Sequence, residues 1–235
     1  MLLSVEEIDF FVKKTQILRK VSLEVEQGEI VGLLGRNGAG KSSIIKCIMG
    51  IYGARSGSVV FDGRNVTKLP PRPRVLMGLA YSPEDSRVFP DLTVRENVQL
   101  GMWVAEDSPG GSSFDPDMGF EIFPKLEQLW NRSGANLSGG EKKMVSFTRA
   151  LALSPKLLLL DESFEGLAPL VVRHFSEAMR RIRDMGISII LAESNLGHTA
   201  QVVDRAYIVE RGEILFRGDP KQIAEDENLS KIVGR

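Results

Sequence analysis

Short apolar runs alternate along the chain with stretches of helical period. Val21 to Val25 alternates apolar and polar positions and predicts a half-exposed strand, whereas Glu29 to Leu34 is nearly all apolar and predicts a buried one. A glycine-rich turn follows, then a helix over Gly40 to Met49, a strand over Ser58 to Phe61 and a short strand over Leu79 to Ser82 that stops at Pro83. Leu157 to Leu160 and Ile187 to Ala192 lack any period of their own and end in polar residues, as buried strands of a parallel sheet do. Both are far shorter than the ~20 residues a membrane-spanning helix needs.

Between Glu84 and about Leu153 the pattern turns helical and the loops lengthen, which predicts a helical subdomain over about 84–155 inserted into a sheet domain. The Ser, Pro and Gly content of Asp107 to Asp117 predicts a flexible loop inside it. Beyond the second leucine-rich strand come a helix from about Pro169 to Met185, a short helix, and a hairpin in which Tyr207 to Val209 and Glu213 to Phe216 flank the turn Glu210 to Gly212. Strands alternating with helices give an α/β fold with a mainly parallel sheet and right-handed crossovers, whose ligands lie at the carboxyl ends of the strands.

Composition narrows the class. With 235 residues, 43% of them hydrophobic and 26% charged, the chain suits one folded domain and excludes disorder and fibre. Thirty basic residues against thirty-one acidic ones leave a net charge of -1, so no overall basic field exists to hold nucleic acid. Cys47 is the single cysteine and cannot form an internal disulfide, and Glu6 and Glu7 stand where a secretion signal would carry basic residues. A cytoplasmic location is expected, with any work at a membrane depending on a partner.

Gly35-Arg36-Asn37-Gly38-Ala39-Gly40-Lys41-Ser42, followed by Ser43, matches the phosphate-binding loop pattern between a predicted buried strand and a predicted helix. Glycines allow the tight path that turns successive N–H groups toward one anion, the helix start adds its positive end, Lys41 reaches the β and γ phosphates, and Ser42 offers a hydroxyl to Mg²⁺. Leu157 to Leu160 ends in Asp161 and Glu162. Asp161 is placed to hold Mg²⁺ through its shell, and Glu162 to polarise the attacking water as general base. Leu137-Ser138-Gly139-Gly140-Glu141 precedes a further helix; alone, Ser-Gly-Gly-Glu is also an ordinary helix start.

The phosphate loop, this pentapeptide and the aspartate–glutamate strand close behind it, taken together, resemble the nucleotide-binding subunit of ABC transporters over essentially the whole chain. The resemblance implies a P-loop ATPase core with an N-terminal antiparallel β portion and the inserted helical subdomain. It also implies ATP and Mg²⁺ as ligands, and a dimer in which each ATP is held by one subunit's phosphate loop and the other's signature sequence. Ser138, Gly139 and Gly140 would then face the nucleotide of the second subunit. Phe11 occupies the place of the aromatic that stacks on adenine; in a strand its neighbour Phe10 points to the opposite face and serves the core.

Three positions depart from the common ABC pattern. Tyr81-Ser82-Pro83-Glu84-Asp85 carries Glu84 where a glutamine to Mg²⁺ is usual, Ser194 stands in Glu193-Ser194-Asn195 where a histidine is usual, and Ser163 follows Glu162 where proline is usual. Pro83-Glu84 before Val88-Phe89-Pro90, with Gly166-Leu167-Ala168-Pro169, looks like the LivF branch of branched-chain amino-acid importers. That branch implies a peripheral subunit on the cytoplasmic face of a prokaryotic membrane. There it pairs with a different ATPase subunit, on permeases fed by an external binding protein. A heterodimer is the first choice and a homodimer the second. The alternatives are the ATPase of an exporter or lipid-transport system, or a weakly hydrolysing nucleotide-dependent regulator that Ser194 keeps open. His174 and His198 lie on predicted helices as surface or packing residues, and Trp103 and Trp130 bracket the subdomain either as core or as permease contacts.

Overall fold

The computed structural model describes residues 1–233. Leu3–Val12 (β1) and Thr15–Val25 (β2) pair antiparallel, Ile30–Leu34 (β3) runs into the glycine-rich turn, and Lys41–Ile48 forms α1. Ser56–Phe61 (β4) and Arg64–Asn65 (β5) follow, then Pro71–Leu76 (α2) and Leu79–Ser82 (β6). Next come Val94–Glu106 (α3), Pro116–Ile122 (α4), Lys125–Leu129 (α5), one 3₁₀ turn and Gly139–Leu151 (α6). The last third carries Leu157–Asp161 (β7), Pro169–Asp184 (α7), Ser188–Glu193 (β8), Leu196–Thr199 (α8), Arg205–Glu210 (β9), Glu213–Gly218 (β10), Pro220–Glu225 (α9) and Glu227–Val233 (α10).

Two sheets form. One is antiparallel in the order β2-β1-β4-β5, and the other runs β10-β9-β3-β8-β7-β6, parallel from β9 to β6 with β10 antiparallel at the edge. The central strands β3, β7 and β8 are covered on both faces, which is why they read as nearly continuous apolar runs, whereas edge strand β10 alternates exposed and half-buried positions. Alternation then sorts each strand. Ile30, Leu34, Leu158, Leu160, Ile189 and Leu191 join the helical side, while Val31, Leu33, Leu157, Leu159 and Ile190 join the core shared with β1, β2 and α1. Among the described residues no helix is long and apolar enough to cross a membrane.

On the helical side Phe123, Phe147 and Phe175 form an aromatic triangle with ring centroids 4.9 to 5.7 Å apart, joining α6 and α7 to the segment after α4. At Gly101 an added Cβ would lie 2.4 Å from the Arg149 carbonyl, so glycine is what lets α3 and α6 approach this closely. On the other side the Arg74 guanidinium is 2% exposed and donates to the carbonyls of Cys47, Ile48, Leu69 and Thr67, closing the carboxyl end of α1.

Several sequence expectations change. Pro71–Leu76 is helical although no helix is predicted there, and its prolines fit because a first helical turn has no use for the N–H groups that proline lacks. Trp103 is 53% exposed, whereas Trp130 packs edge-on against Phe120 at 4.9 Å, so the two tryptophans do not share one role. Phe114, within the segment expected to be a loose loop, is buried in the core. His174 is exposed on α7, and the side chain of His198 lies outside the described residues.

Candidate active site

β3 ends at Leu34, and the chain then curls through Gly35–Gly40 into α1. Gly40 caps that helix with φ 114° and offers no side-chain acceptor, in contrast to the capping boxes Thr93–Glu96 of α3 and Ser138–Glu141 of α6. A helix start left without a side-chain cap, in a turn only glycine adopts readily, leaves backbone N–H groups that can receive an anion. Ala39 N–H donates back to the Arg36 carbonyl at 3.0 Å, which tightens the curl.

Lys41 is 4% exposed. Its Nζ donates to the Gly35 carbonyl at 2.7 Å and to Arg36 at 3.3 Å, and pairs with Glu162 Oε1 at 2.9 Å. Ser42 Oγ donates to Asp161 Oδ1 at 2.8 Å, and Tyr81 OH donates to Oδ2 at 3.1 Å. Burial raises the Asp161 carboxyl above its ordinary value; those two hydrogen bonds and Lys46 oppose the rise, and Glu162 adds to it. A cavity of 280 Å³ is lined by Ile17, Asn37, Gly38, Gly40, Lys41, Ser42, Ser43, Glu84 and Glu162. Glu84 is thus brought to the phosphate loop from the loop after β6. Arg36 and Ala39 face a neighbouring cavity with Val209 and Arg211, and the Arg36 guanidinium donates to the Lys231 carbonyl of α10 at 2.8 Å.

Glu162 is 4% exposed and sits at φ 47°, a left-handed conformation that costs a non-glycine residue about 1–3 kcal/mol. Its N–H donates to the Ala192 carbonyl at 2.9 Å, and its carboxylate receives Lys41 on one oxygen and, at 3.3 Å, the Ser194 hydroxyl on the other. Ser194 therefore touches the glutamate, through one long hydroxyl–carboxylate bond. Glu193, next to it, is 1% exposed and accepts from Phe164 N–H at 2.9 Å. Burial pushes its carboxyl up to about 8.

The remaining expected site residues stand apart from this cavity. Ser138, Gly139 and Gly140 open α6 at the surface and do not line it. The Ser138 hydroxyl accepts from Glu141 N–H at 3.4 Å while Ser138 N–H donates to the Glu141 carboxylate, which Lys125 and these bonds hold down at about 2. Phe10 is buried and stacks on Tyr52 with centroids 4.7 Å apart, whereas Phe11 is half-buried with the Arg55 guanidinium 4.8 Å from its ring centroid. Sequence reasoning passed over Ile17, Tyr81 and Glu193 as members of the site. The signal available for Glu193 was an acid closing the apolar run Ile189 to Ala192.

A phosphate loop between a buried strand and a helix, joined to an acidic strand end two strands away in the same sheet, defines a nucleotide-hydrolysing P-loop protein. The ABC transporter family model matches residues 18–165, and the chain belongs to that family. It is 37% identical over 215 residues to the high-affinity branched-chain amino acid transport ATP-binding protein BraG of Pseudomonas aeruginosa, covering 92% of this chain and 91% of that one. It is 34% identical over 222 residues to the lipopolysaccharide export system ATP-binding protein LptB of Escherichia coli, covering 94% and 91%. Among solved structures it matches the ADP conformation of an ATP-binding cassette of an ABC transporter with TM-score 0.86 and 26% identity, over 100% of this chain and 99% of that one. The chain is accordingly an ATPase, the ATP-binding subunit of a transporter.

Proposed function

We propose that this ATPase powers an importer of branched-chain or other hydrophobic amino acids or a small amide, as one half of a heterodimer at the cytoplasmic face of the membrane. The observation that carries the reading is Glu84, which lines the phosphate-loop cavity from within Pro83-Glu84 and Val88-Phe89-Pro90. The similarity to BraG supports it. The export reading is favoured by LptB, whose similarity extends as far along the chain.

In this reading the Gly35–Ser43 loop, with Arg36, Asn37, Gly38, Ala39 and Gly40, wraps the phosphates, Lys41 neutralises them, and Phe11 stacks on the adenine. Ser42, Asp161 and Glu84 form a hard oxygen donor set that suits Mg²⁺, and the 2.8 Å Ser42–Asp161 contact supports the fit. Bound there, the ion would neutralise charge on the phosphate oxygens. Glu162 accepts a proton from the attacking water, whose oxygen bonds to the γ phosphorus as the bond to ADP breaks. Ser138 and the Gly139 and Gly140 N–H groups complete the partner's site, in keeping with their exposure away from this chain's own cavity. Phe89, Trp103 and Val104, exposed on and beside α3, form the contact with the permease.

The test is to isolate the complex through a tag on this chain and identify its membrane subunits, then follow uptake of labelled leucine and of a short amide in cells lacking the chain. Copurifying permeases with unimpaired uptake of both, or a lipid-exporting permease in their place, would overturn the importer reading.

A further inference from the structure

We propose that Lys143 is a positioning residue for hydrolysis, a latch that ties the helix opening at Ser138 to the turn that aims Glu162. The inference rests on the reading of Glu162 as the group that polarises water. From the second turn of α6, Lys143 Nζ donates to the Glu162 carbonyl and, at 2.8 Å, to the Glu165 carbonyl. Those two carbonyls bracket the turn that follows β7, and one ammonium with three donors can hold both.

The turn needs holding. Glu162 is at φ 47°, and such a conformation persists only where the surroundings over-determine it. Its N–H is anchored on Ala192 of β8 and its carbonyl on Lys143 of α6, so the peptide planes on both sides of its Cα are fixed from two different elements. One residue beyond Ser163, Phe164 N–H donates to the buried Glu193 carboxyl at 2.9 Å. Burial draws the Lys143 ammonium below the ordinary lysine value, against the pull of Glu193, Glu165, Glu162 and Glu84. An ammonium kept half-buried on main-chain carbonyls rather than in water is held by its geometry.

The consequence is mechanical. Ser138, the residue presented to the second subunit's nucleotide, caps the start of α6, and Lys143 lies on that helix. A shift of that helix start is passed through one side chain to the carboxylate that faces this chain's own phosphate loop. Lys143 thus lets one composite site report on the other without touching either nucleotide.

The experiment measures steady-state ATPase kinetics of the complex copurified with the full-length chain, for wild type, Lys143→Met, Lys143→Arg and Glu162→Gln. Lys143→Met should lower kcat tenfold or more with KM for ATP within twofold, and Lys143→Arg, which keeps donors for two carbonyls, should recover most of kcat. Lys143→Gln, one bond shorter and unable to span both carbonyls, carries the same test if the methionine variant does not fold. A methionine variant turning over within twofold of wild type while Glu162→Gln is inactive overturns the latch. A rise in KM parallel to the fall in kcat, unrelieved by arginine, also overturns it and assigns Lys143 to fold maintenance. Normal turnover by Glu162→Gln would overturn the reading of Glu162, and the latch with it.

Discussion

Lys41 Nζ lies 2.9 Å from Glu162 Oε1 with both side chains about 95% buried, so the cation expected on the phosphates and the carboxylate expected on the water are bonded to each other. A polyphosphate entering the loop competes with Glu162 for that ammonium. Glu162→Gln keeps the shape of the site but removes the competing charge and the base. It should bind ATP several-fold more tightly while losing at least about 99% of turnover, and Lys41→Ala should weaken ATP binding about a hundredfold, at a scale of about 1.4 kcal/mol per tenfold. Equilibrium binding of a fluorescent ATP analogue, with phosphate release, checks both signs.

The 3.3 Å contact from the Ser194 hydroxyl to the Glu162 carboxylate is a single hydrogen bond, well beyond the about 2.5–2.7 Å usual for a hydroxyl on a carboxylate and correspondingly weak. Ser138 stands exposed at a helix start where an anion from a second subunit can reach it. Ser138→Arg should therefore reduce ATPase of the assembled complex more than tenfold, and Ser194→Ala less than about threefold. Equal losses would make Ser194 a working part of the catalytic machinery.

Burial lifts the Glu193 carboxyl from 4.5 to about 8; Glu162 adds to the rise, while the Phe164 N–H bond, Lys143 and Lys41 oppose it. The folded protein holds this proton more tightly than the unfolded chain does. The resulting stabilisation is complete below 4.5 and is lost as the pH climbs to about 8. Glu193→Gln mimics the neutral form at every pH. Its Tm should gain on wild type by several degrees between about pH 5 and about pH 8.5, and a constant difference across that range would reject the assignment.

Arg74 closes the end of α1 with bonds to four carbonyls and is 2% exposed. Arg74→Met keeps much of the volume and strands those acceptors. Unfolding should become easier by about 2–4 kcal/mol, read as a fall in denaturation midpoint, while the folded fraction still binds ATP. An unchanged midpoint would show that water replaces the guanidinium without loss.

By itself the sequence determined the alternation of strands and helices, the antiparallel hairpin at one edge of the large sheet, and the junction of buried strand, glycine loop and helix. These are local: period, turn chemistry and the adjacency of motif to element are written within a few residues of one another. It also assigned Phe10 to the core and Phe11 to the opposite face, because a strand alternates; the stacking of Phe10 on Tyr52 is what the tertiary structure added. The Lys41–Glu162 pair, the two carbonyls on Lys143, the Tyr81 bond to Asp161 and the burial of Glu193 were decided by tertiary structure. Each joins residues far apart in the chain, and a charged side chain reads the same in sequence whether the fold leaves it in water or closes over it. The same physics separated Trp103 from Trp130 and buried Phe114 within an irregular segment: a large apolar side chain states its affinity for a core, and only the arrangement of helices provides one.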